Sequence, residues 1–126
     1  MVVNDPDVVA ELAALYPRYE TALMANDAGA LTAMFWDSEH ALRFGAAENL
    51  YGIEEIAAFR KGRSPVNLAR TIKRLDIVTF GADFGSITVE FERQIDNSIV
   101  RGRQSQVWVR FSDGWRIVSA HVSMLP

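Results

Sequence analysis

The chain has 126 residues, 49% of them apolar, with 13 Lys and Arg against 16 Asp and Glu, a formal net charge of −3 and no cysteine. That length suits one domain, residues 1–126, with a real core, and no apolar run is long enough to span a bilayer as a helix. A mildly acidic chain lacks the clustered cations that nucleic-acid phosphates demand, and without cysteine any chemistry rests on oxygen and nitrogen groups.

The first ten residues carry acids where a signal peptide would be basic and lack its apolar stretch, so a cytoplasmic protein is expected. Asp5-Pro6 predicts a helix start, with Asp as the cap and Pro at the first helical position. Val9, Leu12, Tyr16, Tyr19 and Leu23 follow at helical spacing. Pro17 removes one amide and crowds the carbonyl of Ala13, so a kink that interrupts the helix is expected before Leu23. Asn26-Asp27 ends that helix and caps a short second one carrying Leu31, Met34 and Phe35.

His40 to Phe44 reads as a strand, Glu48 to Gly52 as a turn, and Ile53 to Arg60 as a third helix. The basic run Arg60-Lys61-Gly62-Arg63 reads as the solvated end of that helix, its cations complementing the C-terminal dipole. Beyond Pro65 the segments Arg70 to Phe80, Phe84 to Gln94, Val100 to Phe111 and Trp115 to Met124 are rich in β-branched and aromatic residues. Gly81-Ala82-Asp83, Asp96-Asn97-Ser98 and Ser112-Asp113-Gly114 punctuate them as hairpin turns. Helices first and an antiparallel meander afterwards predict an α+β domain: helices across the concave side of a curved antiparallel sheet, with one cavity at its open end.

The sequence offers no phosphate loop, no HExxH and no nucleophile elbow, and only His40 and His121 as imidazoles. No metal or cofactor is expected. His121 shares a strand face with Ser119 and Ser123, as a strand-bonded structural histidine or a pocket acid or base. Glu90 and Glu92 share the presumed polar face of their strand, and Glu48, Glu54 and Glu55 read as mostly solvent-facing. Tyr19 lies on the apolar stripe of the first helix, so its hydroxyl enters the interior and needs a partner there. Arg43, between Leu42 and Phe44, either snorkels to the rim or points a fixed cation into the cavity. Gln104 and Gln106 share a face with Trp108 and suit a polar pocket or an interface.

Phe35-Trp36, Arg43-Phe44-Gly45, Glu48-Asn49-Leu50-Tyr51-Gly52-Ile53, Arg101 through Gln106, and Gly114 through Ser123 together resemble the AtzH/HpxZ-like family over nearly the whole chain. These are small nuclear transport factor 2-like (cystatin-like) proteins encoded beside amidases in bacterial oxalurate and cyanuric-acid catabolism. Glu48-Asn49-Leu50 and the last strand also resemble the association domain of calmodulin-dependent kinases, a likeness of fold. The family resemblance implies a cone-shaped fold and a pocket holding a Tyr from the first helix and an Arg from the first strand. Tyr19 and Arg43 match those positions as the catalytic pair. It also implies decarboxylating amidohydrolase chemistry, 1,3-dicarboxyurea to allophanate.

A carboxylate at each end of such a substrate wants a guanidinium, which grips carboxylates in bidentate fashion. That is the expected role of Arg43. The nitrogen released as carbon dioxide leaves must be protonated, and a phenol near a cation can supply that proton. That is the expected role of Tyr19. Gln106 and Arg93 are further substrate-binding candidates, and Arg70 and Arg93 either add to the pocket's field or sit as strand-end surface charges. The partners expected are a small anionic ureide and a second copy of the chain, because Val, Ile or Trp residues recur on the outer sheet face. A non-catalytic accessory protein of a neighbouring amidase is the alternative class. A ketosteroid-isomerase-like proton transfer would need a carboxylate base in an apolar pocket, and none of the acids reads as one.

Overall fold

The computed structural model describes residues 1–65 and 68–126. Helix α1 (Pro6–Met24) starts at its predicted cap, where the Asp5 carboxylate accepts the Asp7 N–H at 2.9 Å. It runs as one element through Pro17, so the interruption expected there does not occur. Pro17 and Ala13 both lie on the exposed face, where water can satisfy the carbonyl that loses its amide. Asp27 caps the short α2 (Ala28–Ala33) by accepting the Ala30 N–H at 3.0 Å.

Strands β1 (Leu42–Phe44) and β2 (Asn49–Tyr51) form a hairpin closed by a 2.9 Å bond from the Gly45 N–H to the Glu48 carbonyl. A strand therefore occupies part of the stretch predicted as a turn. Helix α3 (Ile53–Gly62) follows Gly52, whose φ of +85° and close approach to the Glu39 backbone suit only glycine. The four long strands are β3 (Thr71–Phe80), β4 (Phe84–Ile95), β5 (Ser98–Phe111) and β6 (Gly114–Met124), joined at the predicted turns.

The sheet order is β2-β1-β6-β5-β4-β3. Every pairing is antiparallel except β1 with β6, which is parallel and corrects the expectation of a wholly antiparallel sheet. The final strand enters beside β1 pointing the same way, after the intervening helix and meander have carried the chain across the sheet. A bulge at Val118, where Val107 faces Ser119 but Trp108 faces Ile117, bends the sheet around the helices.

The concave face carries Ile87, Val89, Phe91, Trp108 and Ile117 against Leu12, Tyr16 and Tyr19 of α1. Each large apolar side chain buried there contributes about 1.5–3 kcal/mol. Trp108 and Trp115 both belong to this core, so the outer face does not carry the tryptophans expected of it. It presents Phe84, Val107 and Val109 among polar and charged neighbours, including Glu90 opposite Arg103.

Candidate functional site

At the open end of the sheet a cavity of about 120 Å³ lies between α1, β1, the end of α3 and the strands β4 to β6. Tyr19, Arg43, Glu48, Phe59, Arg63 and Arg93 line it, with Arg70 and Gln104 at its floor. That space is on the scale of a small metabolite.

Helix α1 delivers two tyrosines one turn apart on its buried face, their rings stacked at 5.8 Å. Tyr16 donates to Glu20 Oε2 at 2.5 Å and accepts from Gln104 Nε2 at 3.3 Å. Glu20 in turn receives a two-pronged bond from Arg70, Nε to Oε1 at 2.9 Å and Nη2 to Oε2 at 2.5 Å. Burial, then the charge of Glu20, raises the Tyr16 pKa above the phenol's ordinary value. Tyr16 is thus a fixed hydrogen-bond donor.

Tyr19 has the opposite surroundings. Its oxygen accepts from Arg60 Nη2 at 3.0 Å. Burial pushes its pKa up, but the charges of Arg60, Arg43 and Arg70 together with the Arg60 bond outweigh it and leave the phenol below its usual value.

Arg43 points inward from β1, between side chains that point outward, and its Nη1 donates to Glu48 at 2.8 Å. Its Nε is buried without a partner among the described residues. Two rings carry the guanidinium cluster: Phe59 beneath Arg43 at 5.0 Å and Arg63 at 5.6 Å, and Phe91 beneath Arg70 at 4.3 Å and Arg93 at 5.4 Å. Arg43 is paired with Glu48 and Arg70 with Glu20, whereas Arg60, Arg63 and Arg93 have no carboxylate within salt-bridge distance among the described residues. Burial, then the neighbouring cations Arg60, Arg43 and Arg93, pushes Arg63 down to about 10, still protonated at neutral pH. A chain of net charge −3 therefore gathers an excess of cations at one cavity, an arrangement suited to a small anion.

Several residues sit elsewhere than expected. Arg60 is 1% exposed and turned toward Tyr19, not solvated at a helix end. Of the two readings left open for Arg70, the surface charge falls, since it is buried in the Glu20 pair at the cavity. Gln106 lies off the cavity, its Oε1 accepting from Trp108 Nε1 at 3.0 Å, and Gln104 takes the place expected of it. Arg93 does line the cavity. His121 is exposed on the outer face against the Phe44 ring at 5.9 Å, away from the pocket, and Glu90 projects from the same face. Glu48 is half-buried at the cavity, not solvent-facing.

Sequence reasoning missed Glu20, Arg60 and Arg63. Arg60 carried a usable signal, since it falls four residues after Ile56 and seven after Ile53 on one helical stripe. Glu20 lies four residues after Tyr16, where the two side chains meet on a helix face.

Helices packed across a curved six-stranded sheet, with a pocket at its open end, define a nuclear transport factor 2-like, cystatin-like α+β protein. The chain matches a protein of unknown function from the DUF3225 family of Pectobacterium atrosepticum SCRI1043 at 47% identity, covering 98% of this chain and 95% of that one, with a TM-score of 0.93. It matches a cystatin-like fold protein from Burkholderia xenovorans LB400 at 43% identity, covering 100% and 99%, with a TM-score of 0.91. A nuclear transport factor 2-like superfamily protein from Salmonella enterica serovar Typhimurium LT2, at 22% identity, 96% and 93% coverage and a TM-score of 0.77, shares the fold. No curated protein matches. The AtzH-like family model matches residues 1–126, and the chain belongs to the AtzH-like family.

Proposed function

We propose that the protein is a decarboxylating amidohydrolase acting on a small N-carboxylated urea, converting 1,3-dicarboxyurea to allophanate. The observation that carries this reading is the pairing of a buried phenol, Tyr19, with Arg43 at one small cavity whose guanidinium groups outnumber its carboxylates. Such a cavity favours a compact dianion over a neutral ligand.

Arg43 holds the carboxylate that the substrate keeps. A cation clamped on the departing carboxylate would stabilise the ground state and slow its loss, so the departing group belongs against the apolar wall of Leu23, Val122 and Met124. As the carbon–nitrogen bond breaks, its electron pair goes to nitrogen, the Tyr19 proton follows, and carbon dioxide leaves. Water then returns a proton to Tyr19. Glu48 occupies Arg43 Nη1 before substrate arrives, so an incoming carboxylate takes the remaining edge of the guanidinium or displaces Glu48. The proposal includes a cytoplasmic homodimer buried through the outer face around Phe84, Val107 and Val109.

The test is ammonia release from freshly generated 1,3-dicarboxyurea in the presence of allophanate hydrolase. Wild type should restore flux, while Tyr19→Phe and Arg43→Ala should not. Folded wild type that behaves like buffer rejects the enzyme and favours an accessory role on a neighbouring amidase. Light scattering tests the dimer: twice the 14.1 kDa chain mass is expected, and the single-chain mass rejects it.

A further inference from the structure

Arg60 is buried to 1% exposure, and the one hydrogen bond its side chain makes among the described residues is the 3.0 Å bond from Nη2 to the Tyr19 oxygen. Among the described residues its Nε and Nη1 are buried without a partner, and no carboxylate answers its charge. Stranding a guanidinium in this way is costly relative to pairing it, and an apolar residue of similar reach would fill the space without that cost. Arg60 does not line the cavity, so whatever it does there it does through Tyr19.

A guanidinium has donors and no acceptor. Its bond to Tyr19 therefore occupies a lone pair of the phenol oxygen, and the hydroxyl proton must point elsewhere. Tyr19 lines the cavity, so the cavity is the open direction. Tyr16 shows the contrasting arrangement, its proton committed to Glu20.

The geometry points to Arg60 as the positioning residue of Tyr19: it turns the hydroxyl proton into the cavity and holds the oxygen when that proton leaves. In the transfer, the O–H bond of Tyr19 breaks, the proton bonds to the substrate nitrogen, and the electron pair stays on the oxygen. Arg60 then has the counter-charge that the resting site denies it. The other cations facing Tyr19 are Arg43 from β1, Arg63 after α3, Arg70 before β3 and Arg93 from β4. The facing acids are Glu20 and Glu48, each already bound to an arginine, and the neutral neighbour is Tyr16. Among the described residues, Arg60 alone of these cations bonds the Tyr19 oxygen, which separates its effect from theirs. The lowered Tyr19 pKa agrees with this arrangement.

The catalytic half of this inference rests on the reaction proposed above; the half that concerns the Tyr19 proton does not. Near-ultraviolet phenolate titration of the intact protein, with the Tyr19→Phe trace subtracted, reads Tyr19 without turnover. The expected midpoint lies below the free phenol's value of about 10 and moves up by about 1–3 pH units in Arg60→Met. Arg60→Lys, which keeps a charged donor, is expected to restore most of the wild-type midpoint. In the dicarboxyurea assay the alkaline limb should move with the spectroscopic midpoint, because Tyr19 must be protonated to donate and activity falls as pH rises through its pKa. A Tyr19 midpoint that is the same in folded wild type, Arg60→Met and Arg60→Lys overturns the role of Arg60. A midpoint that shifts in a protein that never turns over dicarboxyurea supports the positioning of the proton and rejects the reaction.

Discussion

Tyr16 and Tyr19 stand one helical turn apart with stacked rings, yet one belongs to a saturated network and the other to an unsaturated one. Around Tyr16 the polar groups are matched: Glu20 takes the phenol proton and the Arg70 fork, and Gln104 closes the ring of bonds. Around Tyr19 the guanidinium nitrogens of Arg43, Arg60 and Arg93 are left with buried, unpartnered donors. A satisfied buried network rigidifies a fold, whereas an unsatisfied cationic one has capacity left for a ligand. On the proposed reading, the same residue type on the same helix face is structural in one place and chemical in the other, and the partner decides which.

The comparison breaks first at turnover. Tyr19→Phe is expected to lower kcat by about 10²–10⁴-fold, the range for a general acid, and to cost about 1–3 kcal/mol in stability, because it removes the bond that buried Arg60 makes. Steady-state kinetics beside a thermal melt checks both, and a large stability loss with unchanged turnover would move Tyr19 into the structural class. Next, Glu20→Gln strands Arg70 as a buried cation and is expected to cost about 3–5 kcal/mol, read by urea unfolding.

Tyr16→Phe removes one donor from the same network and is expected to cost about 1–3 kcal/mol with turnover within a few-fold of wild type. Its pH signature has a definite sign. The folded pKa of Tyr16 is raised, so its contribution is complete below the free phenol's value of about 10 and is lost as pH climbs above it. Melts over that alkaline range should show a shallower decline in Tyr16→Phe than in wild type. Tyr19, with a lowered folded pKa, works in the opposite sense and in a lower window: its contribution grows as pH rises from its folded pKa to the free phenol's value of about 10, and Tyr19→Phe should lose that gain. The smallest effect expected is from Arg93→Gln, a several-fold rise in KM at unchanged kcat, since Arg93 lines the cavity without bonding the catalytic pair.

Much of the fold was legible because local signals agreed with one another. The Asp5-Pro6 cap, the period of the first helix and the three turns before β4, β5 and β6 all pointed to helices over a meander. The parallel placement of β1 beside β6 was not legible, because a three-residue strand has no pattern that names its neighbour. At the site, the apolar faces carried Tyr19 and Arg43 toward the interior but left their roles open, and it was the family resemblance that singled them out as a pair. Arg60 was read as a surface charge because a charge run ordinarily faces water, and Arg70 was left between pocket and surface; the burial of both depends on Tyr19 and Glu20 arriving from a helix more than 40 residues earlier in the chain. Gln106 was misassigned by one step of the strand period, since Gln104 and Gln106 share a face and only their depth along the cone separates cavity from core.

The most direct test is the paired assay of Tyr16→Phe and Tyr19→Phe on freshly generated 1,3-dicarboxyurea, each variant first shown to be folded. The account predicts flux retained in Tyr16→Phe and abolished in Tyr19→Phe. Equal flux in the two variants, whether both active or both dead, would contradict it.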